Sequence, residues 1–146
     1  MTDAPLELRL LGELEVLRAG RAVALPHSKK TRALLAYLAL TDREHRRERL
    51  CDLFWDVADD RRGALRWSLS KLRAIVDDAG ASRIIADRER VAFAPLGARV
   101  DVLELRRTFA GKPIDEIPLD VLERSAEAFR GELLEGLDLA APLRAL

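Results

Sequence analysis

The chain has 146 residues, with 25 Lys and Arg against 25 Asp and Glu and a formal net charge of zero. That length fits one domain, or one small domain and the beginning of a second. Hydrophobic residues make up 49%, too many for a disordered chain, and no apolar run approaches the roughly 20 residues of a membrane span.

The first residues include Asp3, Glu7 and Arg9 and lack the basic start and apolar middle of a secretory leader, so a cytoplasmic protein is expected. A single cysteine, Cys51, excludes an internal disulfide, and with only His27 and His45 beside it the usual Cys/His zinc site is not expected. A zero total argues against nucleic acid, but the charge is uneven. Up to Ala94 there are 18 basic and 15 acidic residues, and beyond it 7 and 10. The stretch 61–76 carries Arg61, Arg62, Arg66, Lys71 and Arg73 with no acid. Local density decides, because charges are screened within about 8–10 Å at physiological salt.

In chain order, residues 6–25 alternate loosely between apolar and charged side chains and are broken by Gly12 and Gly20, which predicts short antiparallel strands. Ser28 stands where a helix N-cap belongs, before Leu34, Leu35, Leu38 and Ala39 at helical spacing, so a first helix is expected over 29–40. A second runs over 47–55, with Leu50, Leu53 and Phe54 on one face. The acidic linker 56–60 suits the N-terminal end of a third helix, 61–76, whose Leu65, Leu69, Leu72 and Val76 form one narrow stripe. Residues 83–86 and 91–93 flank the polar tip Asp87-Arg88-Glu89-Arg90 as a hairpin. Pro95 and Gly97 mark a boundary. Beyond it, Val102, Leu105 and Phe109, then Leu122, Ala126 and Phe129 after Pro118, predict a helical pair. The expected division is therefore 1–95 and 96–146.

Strands, two helices, a short linker, a basic helix and a hairpin make an α+β winged helix-turn-helix, in which the third helix enters the major groove of double-stranded DNA. Around its apolar stripe, Trp67, Ser70, Lys71 and Ala74 point away from the core, and Arg62, Arg66 and Arg73 lie on one flank. Arg66 and Lys71 suit guanine edges, and Trp67 suits sugars or a thymine methyl. The competing reading has Trp67 packing on the linker or the hairpin and the arginines solvating a surface helix. Arg46, Arg47 and Arg49 open the second helix and either grip a phosphate or pair with Glu44, Glu48 and Asp52. Lys29, Lys30 and Arg32 read as solvated. Arg88 and Arg90 at the hairpin tip are interleaved with acids, yet an arginine there fits a narrow minor groove. Trp55 reads as core.

Catalytic signals are sparse. Cys51 sits in a helix as a small hydrophobe, and there is no phosphate-cradling glycine loop and no HExxH sequence. No enzyme activity, cofactor or metal is expected.

The segments RERLCDLFW and DVADDRRGALRWSLSKLRAIV resemble the DNA-binding domain of the actinobacterial antibiotic regulatory protein (SARP) type, a branch of the OmpR-like winged helices. The opening LRLLGELEVLRAGRAVALPHSKKTRALLAYLAL is similar to that family's start, and IIADRERVAFAP to the wing of its larger members. VDVLELRRTF and AFRGELLEGLDL resemble the start of the bacterial transcriptional activator domain, a helical repeat of tetratricopeptide type. The resemblance implies a transcriptional regulator that binds repeated promoter elements, as a homodimer or in tandem, and contacts RNA polymerase. It places DNA contact on Arg66, Trp67, Ser70, Lys71 and Arg73. Three positions depart from the pattern: Arg46 stands where a Ser or Thr cap is usual, the wing lacks a glycine-tyrosine pair, and Trp67 replaces a smaller residue. A different function is a winged helix used as a protein-interaction module whose acidic tail docks a partner; a third helix covered by that tail would favour it.

Overall fold

The structure, a computed structural model, describes residues 5–137. Alternation in LELR makes β1 (Leu6–Arg9), with Leu6 and Leu8 buried. It pairs antiparallel with β2 (Glu15–Arg18), Leu8 opposite Val16. The chain then turns through Ala19 and Gly20, both at positive φ, into β3 (Arg21–Ala22). Ser28 caps α1 (Lys29–Thr41), its Oγ accepting the Thr31 N–H at 3.2 Å. This helix is buried from Ala33 to Leu40 and is the centre of the core.

The short β4 (His45–Arg46) leads into α2 (Arg47–Phe54), one residue shorter than expected because Trp55 leaves helical geometry as it enters the core. The linker ends on Asp60, whose carboxylate accepts the Gly63 N–H at 3.0 Å and starts α3 (Arg61–Val76). A Cβ at position 63 would run into that carboxylate, which explains glycine in the first turn. The expected stripe is the buried one: Leu65, Leu69, Leu72 and Val76 lie against α1 and α2. Each fully buried leucine of this kind contributes about 1.5–3 kcal/mol. Then come the hairpin of β5 (Ile84–Ala86) and β6 (Arg90–Phe93), β7 (Arg99–Val100), α4 (Asp101–Phe109), a 3₁₀ turn (Ile114–Glu116) and α5 (Leu119–Glu127).

Among the described residues the strands form two sheets, β3-β2-β1-β7 and β4-β6-β5. The architecture is a mixed α+β winged helix. The expected division at 95/96 falls just before β7, which pairs parallel with β1 (Glu7 with Arg99, Leu8 with Val100). Asp101 then accepts the N–H groups of Leu10 and Leu11 at 2.9–3.0 Å. Arg130, Leu134 and Glu135 return main-chain bonds to the carbonyls of Leu11, Leu10 and Gly12. The described part of the tail is thus tied to the N-terminal sheet. The segment 138–146, which includes the end of GELLEGLDL, lies outside the described residues.

A partly buried ionic network closes the C-terminal end of α3. Arg18 donates to the Ile75 and Asp77 carbonyls and to Asp78 Oδ1 at 2.9–3.2 Å. Arg83, only 3% exposed, donates to the Val76 carbonyl at 2.8 Å, to Asp78 Oδ1 at 2.7 Å and to the Pro95 carbonyl at 2.7 Å. Two cations at a helix C-terminus satisfy carbonyls that have no partner within the helix and complement its dipole. Asp77 in turn accepts the N–H groups of Arg83 and Ile84, joining α3 to β5.

Arg83→Met should cost about 3–5 kcal/mol in urea denaturation, because it leaves buried polar groups unpartnered. An unchanged midpoint would contradict the network's role. Hydrogen bonds from Arg83 and then Arg18 hold the Asp78 carboxyl below its ordinary range. Its contribution is therefore complete above the usual carboxylate pKa of about 4 and is lost as pH falls through the lowered folded value. In thermal melts Asp78→Asn should be less stable than wild type at neutral pH, with the gap narrowing below pH of about 4. A gap independent of pH would contradict the assignment.

Candidate nucleic-acid interface

The two sides of α3 are chemically opposite. Its inner side carries the leucine stripe and Ser68, whose Oγ lies 2.8 Å from Thr31 Oγ1 in a buried hydroxyl pair that sets the helix against α1. Its outer side exposes Arg62, Arg66, Trp67, Ser70, Lys71, Arg73 and Ala74. Trp67 is 51% exposed, and the Lys71 Nζ sits 5.4 Å from its ring centroid. That contact restrains a long cation over an aromatic face.

The start of α2, the N-terminal half of α3 and the β5–β6 tip surround an open cleft of about 1100 Å³. Its walls alternate in sign: Arg46, Arg66 and Arg88 face it together with Glu48, Asp52 and Asp87. The acids already hold part of the positive charge. Arg61 is hydrogen-bonded to Asp52, Arg62 lies 3.9 Å from Glu48, and Arg90 lies 3.2 Å from Glu44. Arg47, expected to meet phosphate or pair with an acid, makes no ion pair among the described residues and is used within the fold. It is half-buried and donates its main-chain N–H to the Glu89 carbonyl at 2.8 Å and its Nε to the Asp87 carbonyl at 2.6 Å.

Arg46, at the helix start, gives α2 no side-chain cap. Among the described residues, the side chains of Arg46, Arg66, Lys71, Arg73 and Arg88 make no hydrogen bond or ion pair, and all five are exposed. These cations remain open to an outside anion. The described part of the acidic tail leaves the outer side of α3 exposed, so the coverage that would favour the docking alternative is not seen among the described residues.

Several groups near the interface are structural. Thr41 Oγ1 donates to the Tyr37 carbonyl, so the 2.6 Å contact from His45 is an Nε2–H donation to that hydroxyl. Burial, and then Arg43, lowers the His45 pKa, which favours the neutral ring. Burial likewise pushes the Cys51 thiol up, in keeping with a small core hydrophobe. Among the described residues no cluster of three His, Cys, Asp or Glu side chains is placed to hold a metal ion. No helix there is long and apolar enough to cross a membrane. Sequence reasoning gave no role to Arg18 and Arg83, which hold the C-terminal end of α3, or to Asp87, which bonds the β5–β6 tip; the signal for Asp87 was its place in a turn, a residue type that bonds its own backbone.

No protein-family model matches the chain, and no curated protein matches it. Among solved structures it is similar to Mycobacterium tuberculosis EmbR, in a complex with a low-affinity phosphopeptide, with a TM-score of 0.72 and 21% identity. The likeness covers 97% of this chain and 41% of that one, so the chain spans less than half of the structure it matches. At this identity the likeness establishes the fold, and the fold it shares with EmbR is the winged helix described above.

Proposed function

We propose that the protein is a transcriptional regulator that binds double-stranded DNA sequence-specifically, with α3 in the major groove. The observation that carries this reading is the set of open cations around Trp67 on the outer side of a rigidly held helix. A helix about 10–12 Å wide fits a major groove of about 12 Å. Arg66, Trp67, Ser70 and Lys71 face the bases, and Arg46, Arg73 and Arg88 meet phosphates. Arg62 joins them at the rim, since its exposed pair with Glu48 contributes little and exchanges readily for phosphate.

In this reading 1–95 carries DNA binding and 96–146 is a helical segment of the SARP activator type. The protein works in the cytoplasm and contacts RNA polymerase. Because its net charge is zero, non-specific affinity is modest, and a homodimer or tandem copies on promoter repeats supply the remainder.

Selection of bound duplexes from random DNA, followed by fluorescence anisotropy across a salt series, tests the proposal. Affinity for the selected duplex should fall steeply with salt. Arg66→Ala and Lys71→Ala should each cost about 1–3 kcal/mol, the worth of a good base contact. An unselective pool, salt-independent binding, or wild-type affinity in both variants would sink the reading.

A further inference from the structure

The β5–β6 tip is built in an unusual way. Ala86 pairs with Val91, which leaves Arg88 and Glu89 as a two-residue loop between Asp87 and Arg90. Such loops favour turns with positive φ, normally supplied by glycine or asparagine. Neither Arg88 nor Glu89 takes positive φ. Other bonds replace that geometry. Asp87 Oδ1 accepts the N–H of Glu89 at 2.8 Å and of Arg90 at 2.7 Å. With the Arg90 N–H directed to the carboxylate, the Asp87 carbonyl accepts Arg47 Nε, and the Glu89 carbonyl accepts the Arg47 N–H. Arg90 is held by Glu44 at 3.2 Å. Of the two basic side chains at the tip, Arg88 alone is open among the described residues.

We propose that Asp87 and Arg47 are positioning residues that fix the wing tip against the start of α2, so that Arg88 is the wing's contact to DNA. The inference rests on the DNA-binding reading above. It changes the roles of two residues: Arg47 acts through the wing instead of touching phosphate, and an acid on the DNA side supports binding. The two backbone N–H groups also keep the Asp87 carboxyl below its usual range, so the acceptor stays charged at neutral pH.

Charge alone and positioning predict opposite signs for the same substitution. If Asp87 only repels phosphate, removing it tightens binding. If it positions the tip, Asp87→Ala weakens binding, whereas Asp87→Asn keeps the acceptor, loses the charge and binds at least as tightly as wild type. Anisotropy on a selected duplex over a salt series reads this directly. Arg88→Ala should lower the salt slope by about one. Asp87→Ala and Arg47→Ala should each show that same loss, with no further loss when combined with Arg88→Ala. Tighter binding by Asp87→Ala, or additive losses, would overturn the proposal.

A second arm needs no DNA. Amide hydrogen exchange at Glu89 and Arg90 should accelerate in Asp87→Ala and Arg47→Ala and stay near wild type in Asp87→Asn. Unchanged exchange in the first two would reject the clamp even if DNA binds. Accelerated exchange in a wild-type fold that binds no DNA would instead reject the DNA-binding reading and the Arg88 contact.

Discussion

The orientation of α3 depends on the pair of guanidiniums at its C-terminal end. Arg18 comes from the first sheet and Arg83 from the approach to the wing, and both converge on Asp78 and on the last carbonyls of the helix. A surface helix held by its apolar stripe alone can slide or roll by small amounts at little cost. Charged donors on fixed carbonyls remove that freedom, since bonds made by ionised groups are directional and strong when solvent is excluded. The same network joins β2, the end of α3 and the approach to β5. At the opposite end, Asp60 caps the helix, and midway the Thr31–Ser68 hydroxyl pair selects one register against α1.

A helix held this way can carry an exposed tryptophan and several unpaired cations on its outer side. Leaving charges unpaired costs little in water, and it keeps them available to an anion. The distribution of acids is informative for the same reason. Asp52, Glu48 and Glu44 occupy Arg61, Arg62 and Arg90, while Arg66, Lys71 and Arg73 further along α3 are left open. Neutrality of the whole chain is therefore compatible with a strongly cationic strip. In the DNA-binding reading, phosphate attraction is focused there, which favours discrimination over bulk adhesion.

Much of this was legible in the chain. The stripe Leu65, Leu69, Leu72 and Val76 predicted α3 with its observed ends, because a long period-3.6 pattern bounded by acids has few alternatives. Ser28 and Asp60 were readable as caps, and the exposure of Trp67 followed from its angle to the stripe. Other features were not readable, for physical reasons. The two-residue β7 has no periodicity, and its parallel pairing with β1 joins segments far apart in sequence. Arg83 read only as the start of a hairpin strand because burial of an arginine depends on carbonyls contributed by Val76, Pro95 and Leu96. Arg47 has the composition of a phosphate ligand; only the proximity of the wing turn shows that its Nε and its main-chain N–H are already used.

The central claim, that the outer side of α3 together with the wing tip is a DNA-binding surface, is tested most directly by backbone amide chemical-shift mapping of the labelled protein titrated with a selected duplex. The account predicts the largest changes at Arg66, Trp67, Ser70, Lys71 and Arg73 and at Arg88, with α5 unchanged. Changes centred on α5 with α3 silent, or no changes at all, would contradict it.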